Sequence, residues 1–425
     1  MHGTAIKSIT AKEAYSDRTR PAVHVTVITE NGAVGKGTCC PGISAGSYEV
    51  ESLYDGDERF GGYGFRKAAD NLNRLVAPKL IGLDASNQTA CDAAILEIGK
   101  PVIGGIASAA LSTAILNAGA AALKIPLYEH IGGVRAFTLP IPGVTVATGS
   151  TRYNGTDKAG YKPSYSFVAY DFDTFTEAST ALWEVFMDWS DYIKDNLGIK
   201  MQPIAGMAIP KGKLKDDYQL WDMMADVISK SGYTDRIGIQ VDMAANSFYN
   251  RETMLYEGLF SHEPKTREDI IKLVGKMSKD YPFVIIEDPL FEDDFEGFAE
   301  ITRKVDIQII GDDLLATNPD RLRKAINMKA GNAVRIVTGQ IGTVTEAMEV
   351  VQLAVENHFG ISPCGARGED ISICDYAVGY NAGTIRENGL GYSGNRLLQI
   401  EKELGTRARF FGKAGITGRR FTIRK

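Results

Sequence analysis

Residues 283–313, FVIIEDPLFEDDFEGFAEITRKVDIQIIGDD, read as strand, helix and strand again. Phe283–Glu287 is a short apolar run that ends in an acid. Phe295–Lys304 has helical spacing. Ile307–Gly311 is a second apolar run, and Asp312 and Asp313 follow it. Apolar runs of four to eight residues separated by amphipathic helices are the pattern of βα units on a parallel sheet. The pattern extends both ways. Upstream lie a strand candidate at Arg236–Asp242 and a helix candidate at Arg267–Lys279. Downstream lie a helix at Asn318–Lys329, a strand at Ala333–Val337 and a helix at Val344–Asn357. The rhythm covers residues 136–425, a little more than the roughly 250 residues of a (β/α)8 barrel.

Residues 1–135 read differently. AVHVTVITENGAVGKGT, 22–38, is a hairpin turning at Asn31-Gly32. The Gly-rich loop PGISAGSYE follows, then helical patterns over Phe65–Ala77, Asn87–Ile98 and the Ala-rich stretch Ala107–Lys124, which Pro126 ends. The expectation is an α/β chain with an α+β cap over 1–135 and a barrel over 136–425.

Composition narrows the function. The 425 residues are 44% hydrophobic and 24% charged, which excludes a disordered chain. Lys and Arg number 47 against 53 Asp and Glu, a net charge of −6 that argues against a nucleic-acid partner. No apolar run is expected to reach the roughly 20 residues of a membrane span. Met1–Thr10 lacks the pattern of a secretory signal. Five cysteines without a CxxC pair point to a reducing, cytoplasmic setting and away from zinc. The vicinal Cys39-Cys40 pair reads as two unrelated thiols, with a redox role as the alternative.

The chemistry is carried by acids at strand ends. IGIQVD ends at Asp242, FVIIED reaches Glu287 and Asp288, and IQIIGDD reaches Asp312 and Asp313. A barrel brings the carboxyl ends of all its strands to one face. Acids gathered there repel unless a cation neutralises them, and hard oxygen ligands select Mg²⁺. The plainer alternative is that each acid caps the helix after it.

At these residues the chain resembles the enolase family, over essentially its whole length. VIIEDPLFEDDFEGF, IIGDDLLATNPDRL, QIGTVTEAMEV, NRLLQIEKELG, YDGDERFGGYGFRKAADNLN and IPLYEHIGG carry the resemblance. It implies an enolase-type barrel with an amino-terminal α+β cap, Mg²⁺ on Asp242, Glu287 and Asp312, and Ser44 of PGISAG as a flap serine closing over metal and substrate. It also implies a homodimer or a higher homo-oligomer.

The chain departs from the family pattern at several positions. Val337 and Arg386 stand where two lysines are expected, and Ala205 and Ser166 stand in place of acids. Pro363, Cys364 and Gly365 replace a His-Arg-Ser run that would hold phosphate. Arg386 is a poor base, but its planar fork suits a carboxylate. Arg335 shares a barrel face with Val337 and either contacts substrate or pairs with an acid of the barrel. Arg367 either replaces a lost cation or is a solvated loop charge. Two loops offer further groups, one with Arg152, Tyr153, Lys158, Lys162 and Tyr165, the other with Lys211, Lys213 and Lys215. Lys162 and Lys211 are taken as substrate-binding candidates.

The function expected is a Mg²⁺-dependent enolase-superfamily lyase acting on a small carboxylate anion, phosphopyruvate hydratase by similarity. The alternatives are an acid-sugar dehydratase or phosphonate-pathway enzyme, and an inactive homologue with a binding role. Neither nucleic acid nor membrane is expected as a partner.

Overall fold

The computed structural model describes residues 3–16, 19–42, 45–155, 159–199 and 208–416. The cap opens on an antiparallel meander of β1 (Ile6–Tyr15), β2 (Pro21–Thr29) and β3 (Val34–Cys39). Val23, Val25 and Val27 of β2 alternate inward, as the period-two pattern requires. Helices α1 (Gln88–Ile98) and α2 (Lys100–Leu123) complete the cap. The side chain of Asn87 caps α1 by accepting the Ala90 N–H. The stretch expected to be one helix from Phe65 is helical over Arg66–Asn71, passes through a wider π turn at Leu72–Val76 and closes at Ala77–Leu80.

Helix α2 lies almost against β3. A Cβ on Gly35 would stand 2.1 Å from the Ala114 carbonyl oxygen, and one on Gly37 2.1 Å from that of Ala110. Only glycine permits this approach. α2 also corrects a reading from sequence. Its 24 residues are long and apolar enough to cross a membrane, but 83% of its most apolar window is buried within the fold. The helix starts seven residues before the Ala-rich stretch and kinks at Gly104 (φ 75°), so its apolar length was underread.

The barrel is built from β4 (Ile141–Ala147), β5 (Ser164–Ala169), β6 (Ile237–Asp242), β7 (Phe283–Glu287), β8 (Gln308–Gly311), β9 (Ala333–Ile336), β10 (Gly360–Pro363) and β11 (Thr384–Asn388). Their order is β10-β9-β8-β7-β6-β5-β4-β11, and β10 adjoins β11 to bring the sheet nearly to closure. Outside them lie helices α3 (Phe175–Leu197), α4 (Asp217–Lys230), α5 (Arg267–Asp280), α6 (Phe295–Lys304), α7 (Pro319–Met328) and α8 (Val344–Glu356), with two more towards the carboxyl end.

One strand departs from the expected parallel sheet. β5 is antiparallel to both β4 and β6. The described residues of the loop joining β4 to β5 carry no α-helix, and a parallel neighbour needs a crossover of a dozen or more residues, usually helical. The start of β5, not its end, therefore lies on the carboxyl face of the barrel.

Candidate active site

β6 and β7 run in register, with Asp242 opposite Glu287. One carboxylate oxygen from each of Glu287, Asp288 and Asp312 lies within 4.8 Å of the other two. Asp288 sits one residue past β7 at φ 44°, and its carboxylate clamps the next strand end. Its Oδ1 accepts the Asp312 N–H at 3.0 Å and its Oδ2 accepts the Asp313 N–H at 2.7 Å. Burial, reinforced by Asp312 and Glu287, pushes the Asp288 carboxyl well above the usual carboxylate range. A divalent cation would relieve that repulsion. The donors are hard oxygens at strand ends, so the residues fit Mg²⁺.

Cations of the chain face the same acids. The reversal of β5 sets Ser164 opposite Asp242 and carries Lys162, two residues earlier, onto the Asp242 carboxylate. Burial and the nearby Arg386 lower the Lys162 ammonium to about 8. Arg386, on β11, reaches Asp242 Oδ2 at 2.7 Å and Glu287 Oε1 at 3.2 Å. Arg335, on β9, is 1% exposed and pairs with Glu287 Oε2 and with Ser362, its neighbour across the ladder. Of the two roles weighed for Arg335, the structure places it in contact with an acid of the barrel. Burial alone would raise Glu287, but Arg335 and Arg386 outweigh it and hold the carboxyl well below its ordinary value.

A cavity of about 710 Å³ opens over this cluster, and Thr145, Lys162, Asp312, Arg367, Arg386 and Asn388 are among its walls. Arg367 is not a solvated loop charge. It is buried, and its guanidinium pairs with Glu49 of the cap, Nε donating to Oε2 at 3.1 Å. Lys211 is exposed and is not among the residues lining the cavity. Ser44, Lys158 and Ala205 lie outside the described residues. Arg152 and Tyr165 face away from reaction chemistry and into structure. Arg152 forks onto Asp217 at 2.7 and 2.6 Å, and the Tyr165 hydroxyl donates to the same carboxylate at 2.8 Å.

Val337 is fully buried and packs with Cys364 and Ala366. Burial raises the Cys364 thiol, so it stays protonated. Two polar contacts escaped the reading of the sequence. Gln340 Nε2 donates to Asp312 Oδ1 at 2.7 Å, and its position in QIGT was the available signal. Glu292 accepts from the Ser47 N–H at 2.9 Å and from its hydroxyl at 2.6 Å, tying the cap loop to the barrel. Nothing local marks that pairing, because the partners are 245 residues apart.

Two family models match the chain, "Enolase, N-terminal domain" over residues 6–131 and "Enolase, C-terminal TIM barrel domain" over residues 136–418. The enolase of Methanopyrus kandleri is 36% identical over 427 residues, covering 95% of this chain and 97% of that protein. The enolase of Methanocaldococcus jannaschii is 35% identical, covering 94% and 96%. That of Bifidobacterium longum subsp. infantis is 36% identical, covering 96% of each. With these matches spanning cap and barrel alike, the chain belongs to the enolase family and is a lyase of that family.

Proposed function

We propose that this chain is a Mg²⁺-dependent hydro-lyase that removes a proton α to the carboxylate of a small acid anion. The observation that carries the reading is the set of acids at the carboxyl face, Glu287, Asp288 and Asp312 close together with Asp242 opposite Glu287 on the neighbouring strand, faced by cations that line one cavity. Asp242, Glu287 and Asp312 would hold the ion, which supplies positive charge beside the substrate carboxylate when bound. Arg386 offers paired donors to an anionic substrate, and Lys162 holds a second positive charge in the cavity wall. Residues 1–135 act as the cap, tied to the barrel through Ser47 and Glu292, and residues 136–425 act as the barrel. A cytoplasmic location and a homo-oligomeric assembly belong to the same reading.

One observation favours a substrate other than 2-phosphoglycerate, the compound the family name suggests. Val337 has no group that takes a proton, and Cys364 next to it is a buried neutral thiol. Each general acid or base step is worth about 10² to 10⁴-fold.

The test is to incubate purified protein with Mg²⁺ in heavy water. 2-Phosphoglycerate is compared with a panel of hydroxy and sugar acids, following both α-proton exchange and loss of water. The expected result is exchange with one small acid and slow or absent dehydration of 2-phosphoglycerate. Dehydration of 2-phosphoglycerate at rates ordinary for enolases would overturn the substrate part of the reading. Absence of exchange with every acid would overturn the reaction itself.

A further inference from the structure

Each carboxylate opposed across β6 and β7 already carries cations of the chain. Arg335 and Arg386 take the two oxygens of Glu287. Lys162 and Arg386 share Asp242 Oδ2, while Asp242 Oδ1 accepts the Ala244 N–H at 3.0 Å. Asp312 differs. Its Oδ1 accepts from the neutral amide of Gln340, and it has no salt bridge among the described residues.

Arg335 is the unusual member. It lies inside the barrel at 1% exposure, and its Nε is buried without a hydrogen-bond partner. A buried donor left without a partner is costly, and the guanidinium is only partly satisfied by Ser362 and Glu287. Ser362, across the ladder, holds one end of the guanidinium against the wall, and the other end rests on Glu287. Arg386, by contrast, reaches the cavity, with a tenth of its side chain exposed, and has Glu387 as a further partner at 3.3 Å. Arg386 can turn away when another cation arrives. Arg335 has no solvent to turn into.

We propose that Arg335 is a tethered counter-ion that competes with divalent metal for Glu287, holding the acid cluster assembled without metal and weakening the metal's grip. The inference rests on the reading of Glu287 as a metal ligand. A guanidinium fixed on a ligand carboxylate draws off its negative charge and repels the incoming ion at short range, in a buried site where screening is weak. Removing a fixed positive charge a few ångströms from the ion therefore strengthens the hold of Glu287 on it.

The test uses the full-length protein and Mg²⁺ alone, with calorimetric titration and thermal unfolding in Mg²⁺ and in chelator. Arg335→Gln keeps two donors for Glu287 and Ser362 but removes the charge. Arg335→Lys keeps the charge, and near-ultraviolet circular dichroism confirms that each variant is folded. At a given Mg²⁺ concentration the wild type is expected to gain only a small rise in Tm over chelator. Arg335→Gln should bind Mg²⁺ more tightly than the wild type, by about tenfold or more, and show a larger Mg²⁺-dependent rise in Tm. Arg335→Lys should stay near wild type. Equal Mg²⁺ affinity in wild type and Arg335→Gln, or weaker binding by the variant, overturns the role of Arg335 and leaves the metal site standing. Failure of both to bind Mg²⁺ overturns the metal site and this inference with it.

Discussion

Lys162 reaches the Asp242 carboxylate because the strand after it runs backwards. It is the only lysine lining the cavity among the described residues. Lys162→Met should therefore raise KM for the cognate acid, which loses a facing positive charge, and lower Tm, because the buried Asp242 carboxylate loses a partner. Arg386→Lys tests the second cation. The variant loses the paired donors, so KM should rise, and 2-phosphoglycerate dehydration should not appear because Val337 is unchanged. Glu287 gives a pH dependence. Its carboxyl is held below the ordinary 4.5 by Arg335 and Arg386 against the opposing effect of burial. A depressed acid stabilises the fold fully above its unfolded value, and the contribution is lost as pH falls below it. In chelator, the stability difference between wild type and Glu287→Gln should hold above about pH 4.5 and shrink on acidification, as denaturant midpoints would record.

At the scale of elements, the capping residues fix where the barrel helices begin. Asn318 accepts the N–H groups of both Asp320 and Arg321 at the head of α7. Asn318→Ala should cost about 1 kcal/mol in chemical denaturation and leave catalysis unchanged. Phe283–Glu287 was legible in full, since an unbroken apolar run between turn signals has one reading as a buried strand. Ile307–Gly311 and Arg236–Asp242 were each read one residue too early. β4 and β5 escaped notice because IPGVTVA carries Pro and Gly and SYSFVA carries two serines, and such residues mimic a loop. The direction of β5 follows from the connection before it, whose described residues carry no α-helix, but with β4 and β5 themselves unmarked the place of Lys162 could not be read. The acids at strand ends were legible from spacing. Arg335 was open from its strand face to either substrate contact or pairing with a barrel acid, but the meeting of Arg386 and Lys162 with those acids depends on strand neighbours far apart in the chain.

At the scale of the molecule, cap and barrel are joined by buried polar contacts as well as by Ser47 on Glu292. Asp92 of α1 is fully buried and accepts from the N–H of Thr345 at 2.9 Å and from its hydroxyl at 2.7 Å, at the head of α8. Asp92→Ala would strand those donors, and denaturation should show a loss of roughly 3 kcal/mol. The same junction buries one side of α2, where Ser112 accepts the Val344 N–H at 2.9 Å, while β2 and β3 cover the other. Barrel closure in turn requires β11 to pair with β4, the last strand with the first. On the ribosome these two facts impose an order in time. α2 emerges with only its cap side covered, and at about 5–20 residues per second the segment that pairs with β4 follows only after about 10–50 s. For that interval an apolar helix long enough to satisfy a membrane-targeting machinery stands half-clothed on a growing polypeptide. Chains stalled just before β10 should be cut by protease within 100–123 and should recruit nascent-chain chaperones, and release of the finished chain should abolish both.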